Sequence, residues 1–262
     1  MKRLMYLCIL IPLLWPFSSI SQNNLNPAPD SEIGITEMLG DTVPGNIVLC
    51  NEKGEKVILK DLIDKPTALL FVYYRCPGIC SPLMNGVAEV IGKSNLDLGN
   101  DYQVLTISFD PTESTELAVK KKNNYAGLVE GKNTKDGWLF FTTDSLNSAL
   151  ATQAFGFRYK KAGNEFLHAA SMIIISPEGK ITRYLNGTYF LPFEFKLALV
   201  EASKGQVGPT INKILQYCYS YDPVGQAYVL NITKVTGTII ILMAVIIFLL
   251  LSIKKVRRKT QA

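Results

Sequence analysis

The sequence predicts an α/β domain, a mixed sheet with helices on both faces, followed by one transmembrane helix. Three observations point there. Thr67 to Tyr74 is apolar almost throughout and rich in β-formers, the pattern of a strand buried on both faces in a mostly parallel sheet. Strand-like runs then alternate with helical stripes, first at Leu83, Val87, Val90 and Ile91 and again over Leu117 to Tyr125. Finally, no charge falls between Lys234 and Lys254, leaving 19 residues dominated by Ile239 to Leu251, about 28 Å as a helix and enough for one membrane span.

Taken in order, Met1 to Ser21 carries Lys2 and Arg3, an apolar run from Leu4 to Phe17, and then Ser19-Ile-Ser21, which matches a secretory signal cleaved near Ser21. Residues 22–39 are polar and proline-containing and read as a spacer. Ile47 to Cys50 and Val57 to Leu59, joined through Asn51 and Gly54, predict a hairpin. The strand Thr67 to Tyr74 runs into Cys76-Pro-Gly-Ile-Cys80. Ser81 suits an N-cap with Pro82 at the first helical position, leaving both cysteines just ahead of the helix. Tyr102 to Phe109 reads as a second buried strand. Asp110 with Glu113 three residues on resembles a capping box that opens the helix Leu117 to Tyr125. After a loop over Asn123 to Gly137 come a short strand, Trp138 to Thr142, and a helix from Asp144 or Ser145 to Phe155-Gly156.

Phe157 to Tyr159 is short and extended, and Lys160 to Asn164 is a polar turn. Ser171 to Ser176, Pro177-Glu-Gly179 and Ile181 to Leu185 make a hairpin, and Leu191-Pro192 opens a last helix to Ser203. Strand, helix, strand, helix, then an antiparallel hairpin and a helix is the thioredoxin-like order, here over residues 40–203. Residues 204–234 read as an extension or linker, 235–253 as the membrane span and 254–262 as a basic cytoplasmic tail. Lys254, Lys255, Arg257, Arg258 and Lys259 follow the span at once. By the positive-inside rule this is a single-pass membrane protein with its main domain extracytoplasmic.

The formal net charge of +5 does not signal a nucleic-acid partner. Seven of the 27 basic residues lie in the two terminal segments, which hold no acidic residue, so residues 22–236 carry 20 basic against 22 acidic residues. The basic excess belongs to targeting and topology. Of five cysteines, Cys8 leaves with the signal; Cys50 and Cys218 fit either a structural bridge or a pair of buried free thiols. The cluster Lys120 to Lys122 reads as a solvated helix face, and Tyr73 and Tyr74 as sheet packing.

Cys76 and Cys80 carry the chemistry. A strand handing over to a helix N-terminus favours thiolate over thiol. Three residues between the cysteines, where a thioredoxin site has two, let both sulfurs converge on a third partner. The chain has a single histidine, His168, just before the strand Ser171 to Ser176, and in a thioredoxin-like sheet that loop packs beside the cysteine turn. Two thiolates and one imidazole suit Cu(I) in low coordination, or Cu(II) with a water or added ligand; zinc is second choice. The alternative is a thiol–disulfide oxidoreductase in which Cys76 attacks and Cys80 resolves, acting on exported cysteine-containing proteins. A peroxidase would need an arginine and a threonine placed to activate a peroxide, and the sequence shows no such pair.

Phe71-Val-Tyr-Tyr-Arg-Cys-Pro-Gly-Ile-Cys80, Ile107-Ser-Phe-Asp-Pro111, and Phe166-Leu-His168 ahead of Ile173-Ile-Ile-Ser-Pro-Glu-Gly179 together resemble the SCO/SenC family. These are copper-binding thioredoxin-like factors that help assemble the dinuclear copper centre of cytochrome c oxidase. The resemblance implies that Cys76, Cys80 and His168 are copper ligands. It further implies that the partners are the copper-bearing oxidase subunit and a thiol reductant or copper donor protein. The tail resembles a bacterial subgroup anchored at its C-terminus, whereas the familiar members are anchored at the N-terminus. Two departures stand out: Ser81 separates Cys80 from Pro82 where the family has proline directly after the second cysteine, and Leu167-His168-Ala169 lacks the family's acidic residue beside the histidine.

Overall fold

The computed structural model describes residues 33–163, 165–208, 219–222, 227–230 and 236–247. The strands β1 (Gly34–Ile35), β2 (Val48–Cys50) and β3 (Lys56–Ile58) precede a 3-10 turn at Lys60–Leu62. There follow β4 (Thr67–Val72), α1 (Cys80–Lys93), β5 (Gln103–Ser108), α2 (Thr115–Ala126), α3 (Thr134–Gly137), β6 (Trp138–Phe141) and α4 (Ser145–Ala154). The domain continues with β7 (Phe157–Ala162), β8 (Glu165–His168), β9 (Ser171–Ile175), β10 (Ile181–Asn186) and α5 (Pro192–Ala202). An antiparallel pair, β11 (Tyr219–Asp222) and β12 (Ala227–Leu230), lies in the extension.

The main sheet has the order β10-β9-β4-β5-β6, parallel between β4, β5 and β6 and antiparallel on the β9 side. This is the mixed thioredoxin-like sheet, with the strand that leads to the cysteines at its centre. All six residues of β4 are buried, as the unbroken apolar run requires. Burying side chains such as Leu69, Leu70 and Phe71 completely contributes about 1.5–3 kcal/mol each. On one face α5 packs on β9 and β10, α2 on β6, and α1 touches both helices. On the other, Phe71 meets Phe155 at the end of α4 and Phe157 of β7, with ring centroids 5.6 and 5.2 Å apart.

Several expectations hold to within a residue or two, among them the β2–β3 and β9–β10 hairpins, the Asp144 cap of α4 and Pro192 at the start of α5. Gly179, at φ +82°, closes the β9–β10 turn by donating its N–H to the Ser176 carbonyl. Three differ. The α2 cap is Ser114, whose hydroxyl accepts from Leu117 N, and Asp110 instead accepts from Thr112 N and Oγ1 within its own turn. The stretch from Phe157 is more than a short extended piece and turn, because Phe157 and Arg158 of β7 pair with β1 and Tyr159 to Ala162 pair with β8. Lys122 is buried: its Nζ bonds both oxygens of Glu52 at 2.8 and 3.0 Å. Glu52 also accepts from Phe140 N at 3.1 Å, while Cys50 and Thr142 exchange two backbone hydrogen bonds. The outer edge of β6 is thereby closed by a short hairpin and one ion pair.

A helix is described over 236–247, its apolar side chains from Ile239 to Ile247 largely exposed. Among the described residues no helix is long and apolar enough to cross a membrane. The rest of the predicted span, the predicted signal segment and Cys218 lie outside the described residues, and Cys50 is a free, half-buried thiol.

Helix α1 lies so close to the 187–190 turn that a Cβ on Gly86 would stand 1.9 Å from the Thr188 carbonyl oxygen, whereas one on Gly92 meets nothing within 4 Å. Gly86→Ala is expected to destabilise the domain by about 1–3 kcal/mol. Gly92→Ala on the same helix should be neutral or stabilise by up to about 1 kcal/mol. Urea midpoints of the two variants check the contrast.

Candidate metal centre

Beyond Val72 the chain leaves the sheet, turns through Cys76 to Ile79 and enters α1 at Cys80. The helix starts one residue ahead of the predicted Ser81 cap and two ahead of Pro82, its predicted first helical position. Ile79 is the N-cap and offers no side-chain acceptor, Cys80 is the first helical residue, and Pro82 is the third. Proline is tolerated there because the first amides of a helix have no intrahelical acceptor to lose. The acceptor assigned to Ser81 is instead the sulfur of Cys76, which takes Gly78 N at 3.4 Å and Cys80 N at 3.5 Å. A thiolate at that point faces the positive end of α1.

His168 arrives from the opposite face of the sheet. It is the last residue of β8, paired with Tyr159 of β7, and not a member of an irregular loop before β9. Alternation along β7 and β8 turns Phe157, Tyr159, Phe166 and His168 inward. The imidazole then packs among Phe109, Tyr73 and Phe157, with centroids 5.3, 5.8 and 5.8 Å away. Its Nδ1 lies 2.8 Å from the Ala169 carbonyl oxygen, which can only accept, so Nδ1 carries the hydrogen and Nε2 presents a lone pair. That carbonyl supplies the orienting partner missing from the sequence next to His168. Nε2 sits 3.2 Å from Cys80 Sγ, and one donor atom each from Cys76, Cys80 and His168 lie within 4.8 Å of one another. All three residues are buried, under a loop whose Pro77, Gly78 and Ile79 are exposed.

The two thiols are inequivalent. A hydrogen bond from Cys80 holds the Cys76 thiol well below the ordinary range against the opposing effect of burial; the amides of Cys80 and Gly78 and the Tyr73 hydroxyl add to this. The same thiol–thiol bond, with burial, pushes Cys80 up. Cys76 is the thiolate and Cys80 keeps its proton.

Two contributors escaped the sequence reading. The Tyr73 hydroxyl is drawn to Cys76 and accepts from Phe166 N at 3.5 Å, tying the cysteine turn to β8; Tyr74, by contrast, is sheet packing, its hydroxyl bonded to the Phe141 carbonyl at 2.7 Å. Glu113 is buried behind the turn and accepts from Tyr74 N, Arg75 N and Ser108 Oγ at 2.6, 2.7 and 2.6 Å. Burial pushes its carboxyl up, and those hydrogen bonds oppose the shift. The signal was present in Ser114-Thr-Glu, a second cap four residues after Asp110 with an acid in its first turn, which leaves Glu113 without a capping role.

Because a thiol reacts as its thiolate, Cys76 should be alkylated by iodoacetamide at nearly constant rate between pH 6 and pH 8. An ordinary thiol slows about tenfold per unit below its pKa. Cys80 should remain unreacted across that range. Mass spectrometry of the modified peptides reads both, and a Cys76 rate that climbs steeply from pH 6 to pH 8 would contradict the assignment.

Residues 37–193 match the model of the SCO1/SenC family. The SCO1 protein homolog of Bacillus subtilis (strain 168) is 25% identical over 149 residues, which span 55% of this chain and 74% of that protein. Among solved structures, a candidate electron transfer protein from Aquifex aeolicus VF5 superposes with a TM-score of 0.57 at 31% identity, over 64% of this chain and 95% of that one. Copper-bound ScoI of Arabidopsis thaliana shares the fold at a TM-score of 0.51 and 18% identity, over 63% of this chain and 99% of that one. With more than half its length matched by the family model, and with the cysteine turn and histidine inside the match, the chain belongs to the SCO1/SenC family.

Proposed function

We propose that the chain is a membrane-anchored copper metallochaperone that holds copper on Cys76 Sγ, Cys80 Sγ and His168 Nε2 and assists assembly of the copper centre of cytochrome c oxidase. The observation that carries this reading is the convergence of two sulfurs and one imidazole nitrogen within 4.8 Å. That donor set fits copper. Thiolates are soft, the imidazole lone pair is already freed by the Ala169 carbonyl, and the aromatic cage around His168 limits water at the nitrogen. Copper is cargo here. An exposed loop directly over the sulfurs lets an incoming ligand reach the ion from one side, so that transfer proceeds by stepwise ligand exchange. The partners are the copper-bearing oxidase subunit and a thiol reductant or copper donor protein.

The charge and hydropathy pattern after Lys234 supports a topology. The uncharged run 235–253 with its five cationic followers supports a C-terminal anchor in the bacterial cell membrane, an extracytoplasmic domain and a cytoplasmic tail, as in a C-terminally anchored bacterial subgroup. The exposed apolar residues on the helix over 236–247 agree with burial in lipid.

The inequivalent thiols favour a second reading, a thiol–disulfide oxidoreductase. The Cys76 thiolate would attack a target disulfide, forming a mixed disulfide. Cys80, giving its proton to His168 Nε2, would then displace the target dithiol and leave a Cys76–Cys80 disulfide, with two electrons passed to the target. A thiol reductant resets the pair.

Copper titration of the reduced full chain in detergent separates the readings. The expected result is about one tight equivalent, a Cu(II) affinity lowered more than about 100-fold by His168→Ala, and wild-type binding in Cys50→Ser. Disulfide reductase turnover that survives both His168→Ala and copper chelation, with no tight equivalent of copper, would favour the oxidoreductase instead.

A further inference from the structure

We infer that Glu113 is a positioning residue of the metal centre, its carboxylate fixing the backbone that delivers Cys76 to Cys80 and His168. The inference rests on the copper reading above and adds to it the residue that sets one of its sulfurs. The ladder between β4 and β5 ends at Val72, with Phe109 N donating to the Val72 carbonyl at 2.9 Å as its last rung. Two amides beyond it, Tyr74 N and Arg75 N, lie past the sheet, and leaving the buried Tyr74 N without a partner would cost about 1–3 kcal/mol. Glu113 takes one on each oxygen, at 2.6 and 2.7 Å, and Ser108 Oγ donates to the same carboxylate at 2.6 Å.

Beyond these two bonds little else locates Cys76. Its own N–H turns back to the Tyr73 carbonyl at 3.2 Å, Pro77 has no N–H, and the amides of Gly78 and Cys80 bond to the Cys76 sulfur itself. Besides the Tyr73 hydroxyl, a further hold on the approach comes from the same β5–α2 connection. Arg75 Nη1 donates to Thr112 Oγ1 at 3.1 Å, and Thr112 is in turn fixed by Asp110 at 2.8 and 2.9 Å. His168 and Cys80 are held by β8 and α1 respectively, so Cys76 is the ligand whose placement depends on a side chain. A carboxylate suits the task because two adjacent amides need two acceptors, and charge-assisted bonds are the stronger kind. Glutamine has the same shape but presents one acceptor and one donor, so Glu113→Gln sets an N–H against an amide N–H.

The test uses the reduced full chain in detergent. Glu113→Gln is expected to retain the wild-type far-ultraviolet spectrum while amide exchange over residues 73–76, read by mass spectrometry, quickens about tenfold or more. Its Cu(II) dissociation constant should rise about 10- to 100-fold, and its thiolate-to-Cu(II) absorption band should shift. Glu89→Gln, which changes an exposed carboxylate on α1, should match wild type in all three. Wild-type copper affinity and band in Glu113→Gln overturn the inference while leaving the copper reading intact. If wild type itself takes up no copper, the copper reading fails and the inference with it. Should Glu113→Gln not fold, exchange in wild type decides: protection of Tyr74 and Arg75 N–H at the level of β4 supports the clamp, and exchange as fast as at Gly78 and Ile79 overturns it.

Discussion

The contact between Cys80 Sγ and His168 Nε2, 3.2 Å long, is the interaction on which the rest of the site depends. It joins a helix N-terminus on one side of the sheet to a hairpin on the other, across the end of the central strand. Neither partner reaches the other by local geometry. Cys80 is placed because β4 is buried on both faces and must hand over to α1 at its carboxyl end, the usual location of sites in open α/β sheets. His168 is placed because β7 and β8 turn their aromatic side against Phe71, Tyr73 and Phe109. The ring cluster of Phe109 with Phe157, Tyr159 and Phe166, at centroid distances of 5.4, 4.5 and 5.5 Å, is the foundation on which the imidazole stands. Packing of this kind contributes about 0.5–1.5 kcal/mol per ring pair beyond burial, and it fixes an orientation that a loop would leave free.

That dependence explains what was legible in the sequence. The central strand, the helices and the β9–β10 hairpin were readable because each carries its own period or turn chemistry over several residues. Cys76, Cys80 and His168 were readable because thiol and imidazole chemistry is rare in this chain and falls at strand ends. What failed was local signal with two equally good readings. Ser81-Pro82 satisfies every rule for a helix start, yet the helix begins one residue ahead of that serine because the Cys76 sulfur, four residues before Cys80, is already there to accept the amide. Asp110 with Glu113 fits a capping box, yet Ser114 caps, because Glu113 is worth more to the structure under Tyr74 and Arg75 than at a solvent-facing helix end. A buried amide left unpaired costs more than an exposed cap contributes. In both cases the deciding partner comes from outside the motif.

The strand β8 was missed for a related reason. Lys160 to Asn164 is mostly polar and holds a glycine, so it reads as a turn that ends the order begun at Phe157. Only the inward residues Phe157, Tyr159, Phe166 and His168 reveal a hairpin, and they are spread on both sides of that turn at period two. Lys122 shows the same limit: a basic run on a helix is solvated by default, and its burial needs Glu52 from a hairpin 70 residues earlier.

The three residues between the cysteines gain their meaning from the hairpin. A dithiol that only exchanges electrons needs its two sulfurs near each other and one of them reachable, and Cys76 with Cys80 would meet that need without β8. Closing a third donor onto the pair calls for a sulfur at the very start of α1, facing the sheet, and a second one swung beneath the helix end so that all three atoms converge. The fold therefore commits structure to His168 that redox chemistry alone would not call for: an aromatic platform, a carbonyl to set the tautomer and a strand to carry the ring. That commitment is the physical reason to rank a bound soft metal above a simple disulfide pair.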